Sequence, residues 1–290
     1  MSRLPAFVEL ARPQQWAKNS FVLTGLLFGH AWRDPQLIAA AAAATAAFCL
    51  ASSAVYAFND AVDAPRDRDH PVKRTRPVAR GAIAPREAFA AAAVHGLAAL
   101  AVAGAAGTLA AGIVAAYLAL NIAYTRGLKH IPVLDVFVIA AGFMLRLLAG
   151  TAGIGIEPSN WLLLCGLLLT LMLGFGKRRA ELEQLNEEAG RHRAVLDAYS
   201  ADFLDQAVLV CAGGVIVGYA LYTVAPETAA LHDTERLVLT LPWVLLGTFR
   251  YLYRLNYRGG GGDPADELLR DPVLALSTLG WAATVAWLLG

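Results

Sequence analysis

Four oxygen-bearing side chains recur at short intervals in the pattern Asn59-Asp60-x-x-Asp63-x-x-x-Asp67. On a helix, Asn59, Asp63 and Asp67 are spaced i, i+4, i+8, so they share one face. Asp60 and Asp67 are two turns apart and share a face as well. Such a cluster suits Mg²⁺, which proteins bind through one or two carboxylates plus substrate phosphates. The pattern predicts that these four residues are catalytic and hold the metal.

Pro65 lies inside this acidic motif. A proline in a helix interior removes a hydrogen bond and collides with the carbonyl four residues earlier. We therefore expect the helix to break or bend near Ala61, or to end within the motif.

Cations follow the acidic motif directly, at Arg66, Lys73, Arg74 and Arg76. Clustered cations beside clustered carboxylates indicate an anion held partly by metal and partly by Arg or Lys. A diphosphate fits both halves, and these four residues are predicted to bind substrate phosphates. The alternative for the basic residues alone is a solvated, salt-bridged loop.

Further candidate substrate-binding residues lie in other polar stretches: Lys18, Tyr124, Lys129, Arg146, Lys177 and Arg178. Arg146 stands inside an apolar run, where an ionisable residue is a functional candidate by default. Alternatives stay open for each stretch. They are an ordinary basic helix end at 177–179, an interfacial anchor at 124–130 and a structural ion pair at Arg146.

The elements that position these residues are apolar. Of the 290 residues 57% are hydrophobic and 16% charged, and about 63% are apolar or Gly against about 45–50% in soluble domains. This composition excludes an ordinary soluble enzyme, a disordered chain and a fibrous repeat, and it favours an all-α, polytopic membrane bundle. Nine apolar runs predict nine transmembrane helices: 19–32, 37–58, 86–105, 108–124, 132–152, 160–176, 206–224, 237–254 and 273–289.

The basic residues are distributed asymmetrically between the predicted loops. Of 24 Lys and Arg, 21 lie in the N-terminal segment or in even-numbered loops and only Arg33 and Arg236 lie opposite. The positive-inside rule then places the N-terminus and the long polar loops in the cytoplasm. No cleavable signal is visible. We expect an integral inner-membrane protein with a cytoplasm-facing cavity.

The acidic motif resembles the first aspartate-rich motif of the UbiA superfamily of intramembrane prenyltransferases. The resemblance covers essentially the whole chain as a single domain, 1–290. It points in particular to the decaprenyl-phosphate phosphoribosyltransferase branch, on the stretches 12–19, 69–77, 176–182 and the Gly-rich 259–271, which holds Asp266, Glu267, Arg270 and Asp271. A departure is informative, because typical aromatic prenyltransferases carry a second Asp-x-x-x-Asp cluster where this chain has Lys177-Arg178-Arg179-Ala-Glu181.

The branch resemblance implies Mg²⁺-dependent transfer of 5-phosphoribosyl from phosphoribosyl diphosphate to a polyprenyl phosphate of the decaprenyl type, with release of diphosphate. One acidic and one basic cluster suit these phosphorylated substrates. Two rivals stay open: prenyl transfer to an aromatic acceptor on the same scaffold, and a membrane transporter, although no internal repeat is visible. We expect the bilayer as a partner, no nucleic acid, and a possible homo-oligomer.

Overall fold

The computed structural model describes residues 4–29, 31–187, 195–257 and 270–289. Within these ranges every regular element is a helix. The α-helices are α1 (Leu4–Ala11), α2 (Thr24–Phe28), α3 (Pro35–Asp67), α4 (Pro85–Ala106), α5 (Thr108–Arg126), α6 (Leu134–Ala149), α7 (Asn160–Glu187), α8 (Ala201–Val224), α9 (Pro226–His232), α10 (Leu241–Tyr257) and α11 (Pro272–Leu289). Short 3₁₀ helices connect them at Pro13–Leu23, Ala31–Arg33, Lys73–Thr75, Leu128–His130, Ala152–Ile154, Leu196–Ala198 and Arg236–Thr240.

Seven helical segments are long and apolar enough to cross a membrane: Pro35–Asp67, Pro85–Ala106, Thr108–Arg126, Leu134–Ile154, Asn160–Glu183, Ala201–Val224 and Pro272–Leu289. They correspond to seven of the nine predicted runs. The run at 237–254 forms a 3₁₀ turn followed by the 17-residue α10. The all-α membrane architecture is thereby confirmed, with seven candidate spans among the described residues.

The first apolar run, 19–32, is not one regular helix. It lies in the 3₁₀ helix Pro13–Leu23, the five-residue α2 and the turn Ala31–Arg33. Its backbone approaches the end of α6 closely, because a Cβ at Gly25 would collide with the Gly150 carbonyl and one at Gly150 with the Val22 carbonyl. Only residues without a side chain permit this crossing.

The helix α3 carries the acidic motif at its C-terminal end. Its N-terminus is capped by Asp34, whose carboxylate accepts from the amides of Gln36 at 2.8 Å and Leu37 at 3.3 Å. At 1.5 Å per residue its 33 residues extend about 50 Å, longer than the ~30 Å hydrocarbon layer. The helix continues through Pro65 and ends at Asp67. The break expected near Ala61 does not occur, and all four motif residues lie on one helix.

The chain divides into two compact units, residues 1–158 and 159–290. In the first unit, the apolar core joins buried residues of α3, α4 and α5, including Ala47, Phe48, Ala103 and Val114. Alanines on α3 leave only a thin layer of side chains, which permits close packing against its neighbours.

A second apolar cluster in this unit positions the candidate site. Ala6 and Leu10 of α1 and Val78 and Ile83 of the 68–84 loop pack against Ala57, Ala61 and Ala64 of α3. The N-terminal helix and the loop are thus held against the last turns of α3, where the acidic motif lies.

Candidate active site

Asp60 lies at the centre of the candidate site, with only 1% of its surface exposed. Arg12, at the end of α1, places Nη2 2.6 Å from Asp60 Oδ1. Arg76, on the 68–84 loop, places Nη1 3.3 Å from the same oxygen and 2.7 Å from Asp67 Oδ2. The guanidinium of Arg76 therefore joins two carboxylates that share one face of α3 and lie two turns apart.

The other two motif residues pair with the end of α5 and the turn after it. Lys129 Nζ lies 2.8 Å from Asp63 Oδ1. The Thr125 hydroxyl donates to Asn59 Oδ1. Three segments distant in sequence thus converge on one end of α3.

Arg12 belongs to the site but was not among the predicted catalytic or substrate-binding residues. It adopts φ 51° and ψ 60°, a left-handed conformation that non-glycine residues seldom adopt. Its guanidinium also lies 4.9 Å from the centre of the Tyr56 ring. The strained backbone turns the chain between α1 and the next helix and directs the side chain onto Asp60. In the sequence, only its place in the stretch 12–19, which carries part of the family resemblance, pointed to a role for Arg12.

The charges of this cluster balance, with Asp60, Asp63 and Asp67 opposed by Arg12, Arg76 and Lys129. Among the described residues, Asp60 Oδ2 is a buried oxygen with no hydrogen-bond partner. An unpartnered buried carboxylate oxygen costs free energy.

The donor set fits Mg²⁺ in kind, because all of its atoms are carboxylate or amide oxygens. Across the ranges that the structure describes, however, no three His, Cys, Asp or Glu side chains lie close enough together to hold a metal ion. The protein's own cations occupy the acidic motif in its place.

The remaining predicted residues of the first unit differ in burial. Arg66 and Arg74 are exposed. Lys18, Lys73 and Tyr124 are half-buried, and each takes part in interactions of its own.

Arg146 lies apart from these ion pairs, in a buried polar network of the first unit. Its Nε donates to Asn19 Oδ1 at 2.8 Å, Nη1 to the Gly142 carbonyl at 2.9 Å and Nη2 to the Tyr117 hydroxyl at 2.9 Å. Three aromatic rings surround the guanidinium at 4.7–5.5 Å, those of Phe48, Tyr117 and Phe143. The ion pair considered from the sequence is absent from the salt bridges of the described residues, and neutral acceptors take its place.

In the second unit, the basic run 177–179 lies inside α7, which continues to Glu187, so the alternative of a basic helix end is wrong. The run forms its own ion pairs. Arg178 is 1% exposed and bonds Glu181 at 2.5 Å. Arg179 bonds Asp205 of α8 at 2.9 Å, and Lys177 is half-buried. The one carboxylate left in this stretch, Glu181, is thus engaged by a neighbouring cation.

A second basic cluster of this unit lies where α11 begins. Asp271 accepts from Arg250 at 2.8 Å and Arg254 at 3.1 Å, and its Oδ1 accepts from the amides of Val273 and Leu274 at 3.0 Å. The bonds from Arg250 hold the pKa of Asp271 well below its usual range, assisted by the backbone amides and Arg254. Asp266 and Glu267, named in the sequence analysis, lie outside the described residues.

Comparison with known proteins identifies the family of the chain. A sequence model of the UbiA prenyltransferase family matches residues 19–265. The chain belongs to the UbiA prenyltransferase family. It is therefore an integral membrane protein of a transferase family, in keeping with its seven candidate spans.

Relatives in this family share most of the chain. A decaprenyl-phosphate phosphoribosyltransferase of Mycolicibacterium smegmatis is 31% identical over 96% of this chain and 90% of its own length. Proteins of the same name from Corynebacterium glutamicum and Mycobacterium tuberculosis are 33% and 34% identical, covering 94% and 96% of this chain and 83% and 92% of their own lengths. The resemblance seen in the motifs is confirmed.

The fold also matches a solved structure. A UbiA homolog from Archaeoglobus fulgidus, bound to GPP and Mg²⁺, superposes with a TM-score of 0.72 at 18% identity, covering 98% of each chain. At that identity the likeness shows the shared fold. The bound Mg²⁺ belongs to the homolog, and it supports divalent metal use in the family.

Proposed function

We propose that the protein transfers the 5-phosphoribosyl group of phosphoribosyl diphosphate to a polyprenyl phosphate of the decaprenyl type and releases diphosphate. Support comes from the shared name of relatives that cover nearly the whole chain. The observation that carries the proposal is the charge-balanced cluster on α3. Its equal numbers of carboxylates and cations suit a donor held by both a metal ion and basic side chains.

In this proposal Asn59, Asp60, Asp63 and Asp67 hold Mg²⁺, and the buried Oδ2 of Asp60 is the oxygen that most needs a cation. When bound, the ion would neutralise charge that develops on the departing diphosphate. Arg66, Lys73, Arg74 and Arg76 bind donor phosphates. Lys18, Tyr124, Lys129, Lys177 and Arg178 complete the phosphate-binding set for the donor 5-phosphate or the acceptor.

The proposed reaction depends on positioning the two substrates more than on transferring a proton. The bond between C1 of the ribose and the diphosphate oxygen breaks, and a phosphate oxygen of the lipid bonds to C1 from the opposite face. That oxygen is already anionic, so no strong general base is required. The guanidinium and ammonium groups orient both anions and reduce their mutual repulsion.

Arg146 has a different part in the proposal. Its three bonding nitrogens donate to protein acceptors. It therefore supports substrate binding as a positioning residue, by fixing Asn19, the residue next to Lys18, against α5 and α6.

We further propose nine membrane spans, which adds the run 19–32 and the run 237–254, with its 17-residue α10, to the seven candidate spans. The N-terminus and the acidic end of α3 face the cytoplasm, and residues 1–290 act as one domain. The basic residues of the long loops support this orientation. The lipid tail leaves the site sideways into the bilayer, and homo-oligomer formation stays a prediction.

The test is an assay of purified protein with Mg²⁺, phosphoribosyl diphosphate and decaprenyl phosphate. Diphosphate release and the mass of the lipid product are measured together. Asp63→Ala and Asp67→Ala are expected to lower the rate about 100-fold or more, because each removes a metal ligand.

Glu9→Gln serves as the matched control, since Glu9 is an exposed acid paired with Arg80 at 2.7 Å. It is expected to keep the wild-type rate. Near-wild-type release by either aspartate variant would contradict the metal assignment. A product that forms only from a prenyl diphosphate and an aromatic acceptor would replace the proposed reaction.

A further inference from the structure

Each of the four proposed metal ligands already has a protein partner. Asn59 accepts from Thr125, Asp63 from Lys129, Asp67 from Arg76, and Asp60 from Arg12 with Arg76 nearby. Three negative charges therefore meet three positive ones, all held by residues of the first unit. The charges of these six paired side chains therefore sum to zero.

A divalent cation alone has little to gain from this cluster. Mg²⁺ seeks near-octahedral oxygen coordination, and the only buried side-chain carboxylate oxygen without a partner in the described residues is Asp60 Oδ2. Asp63 Oδ1 and Asp67 Oδ2 are held by Lys129 and Arg76, so a metal ion that takes these oxygens displaces the two cations and leaves them unpaired beside a doubly charged ion. Unpaired, partly buried charges are costly.

A diphosphate removes this obstacle, because its oxygens can ligate the metal and accept from the displaced cations. We propose that Arg76 is an exchangeable internal counter-ion, which leaves the carboxylates for a phosphate when the metal enters. The divalent cation and the diphosphate then bind as a linked pair. This inference rests on the proposed diphosphate donor and specifies how that donor is admitted.

The contacts distinguish the mobile partner from the fixed one. Arg76 belongs to the 68–84 loop, and its Nη1 lies 2.7 Å from Asp67 Oδ2 and 3.3 Å from Asp60 Oδ1. Arg12 makes a 2.6 Å bond and also lies against the Tyr56 ring. Arg12 therefore holds Asp60 in place while Arg76 exchanges partners, and Lys129 exchanges at Asp63 in the same way.

Reciprocal linkage gives the test. The affinity of purified protein for Mn²⁺ alone is measured from the free-ion electron paramagnetic resonance signal. Binding of labelled inorganic diphosphate is measured by equilibrium dialysis with and without Mn²⁺. We expect Mn²⁺ to tighten diphosphate binding at least about tenfold in the wild type.

Arg76→Gln removes the competing cation. It is expected to bind Mn²⁺ alone at least about tenfold more tightly than the wild type, with a smaller effect of Mn²⁺ on diphosphate. The matched control is Arg86→Gln, an exposed arginine in the first turn of α4, which is expected to leave both affinities unchanged.

The inference is overturned if wild-type protein binds Mn²⁺ as tightly without diphosphate as with it. It is also overturned if Arg76→Gln binds Mn²⁺ alone no more tightly than the wild type. Should that variant fail to fold, Lys129→Met replaces it with the same expectations. Because these titrations need no acceptor lipid, they separate this inference from the proposed reaction, which the lipid product tests by itself.

Discussion

Arg146→Met removes the guanidinium that joins three parts of the first unit. Asn19 lies on the 3₁₀ helix Pro13–Leu23, Tyr117 on α5 and Gly142 on α6. Arg146 is 6% exposed and Asn19 is fully buried. The substitution removes the donor from Asn19 Oδ1 and from the Tyr117 hydroxyl oxygen, both in a buried part of the unit.

The size of the effect follows from these contacts. Hydrogen bonds from a charged donor are each worth about 1.5–3 kcal/mol, and a desolvated cation near aromatic rings about 2 kcal/mol more. The contributions are not additive, since all belong to one group, and Met restores part of the packing. We expect a loss of about 3–5 kcal/mol, from the lost charge-assisted hydrogen bonds and the buried acceptors left unsatisfied.

Arg146→Lys separates charge from geometry. An ammonium keeps the positive charge but cannot reproduce the planar fork that reaches three acceptors at 2.8–2.9 Å. We expect it to lose about half as much stability as the Met variant. If a general positive field were all that mattered, Lys would behave as wild type.

The assay is thermal unfolding of detergent-solubilised protein, followed by fluorescence of its six tryptophans. At about 2–4 °C for each kcal/mol, the melting temperature of Arg146→Met is expected to fall by about 10 °C. Arg86→Met is the exposed control and should melt with the wild type. The reasoning is refuted if Arg146→Met melts like the wild type while its KM for phosphoribosyl diphosphate rises tenfold or more.

Two further predictions concern backbone packing and pH. Gly150→Ala should lower the melting temperature by several degrees, because the added Cβ meets the Val22 carbonyl. Gly112 has open space around it, so Gly112→Ala should stabilise α5 by about 0.5–1 kcal/mol. Thermal unfolding of both variants by the same assay checks these expectations. Because Arg250 lowers the pKa of Asp271, the charged form stabilises the protein fully above about pH 4 and less as the pH falls. Asp271→Asn keeps the helix cap without the charge, so the difference between its melting temperature and that of the wild type should shrink from pH 7 to pH 3. A difference that stays constant with pH would contradict the pairing.

The acidic motif was open to prediction because helical periodicity is a local property. Residues four apart share a face whatever lies elsewhere in the chain, so Asp63 and Asp67 could be placed together from their spacing. The helix has no break near Ala61, but it ends at Asp67, the last residue of the motif and two residues after Pro65. The proline ring removes only the bond that its own amide would donate to the Ala61 carbonyl.

The partners of the motif could not be assigned in the same way. Arg12 and Asp60 are 48 residues apart, and Lys129 and Asp63 are 66 apart. Which cation meets which carboxylate depends on how α1 and the 68–84 loop pack against α3, through small apolar contacts with no distinctive pattern. Composition could indicate that the basic residues were needed, and only tertiary structure could pair them.

The irregular first span has a similar cause. Residues 19–32 are apolar enough to suggest a membrane helix, yet the chain there is largely 3₁₀ and broken at short intervals. The close approach between Gly25 and Gly150 is a contact across 125 residues, so neither hydropathy nor spacing could reveal it. The 3₁₀ helix Pro13–Leu23, which overlaps this segment, carries Asn19, which bonds Arg146, and begins directly after Arg12. The departure from regular helix therefore accompanies two polar contacts that a straight apolar span would not provide. Asn19 bonds Arg146 in the interior of the bundle, and Arg12 bonds Asp60 of the acidic motif.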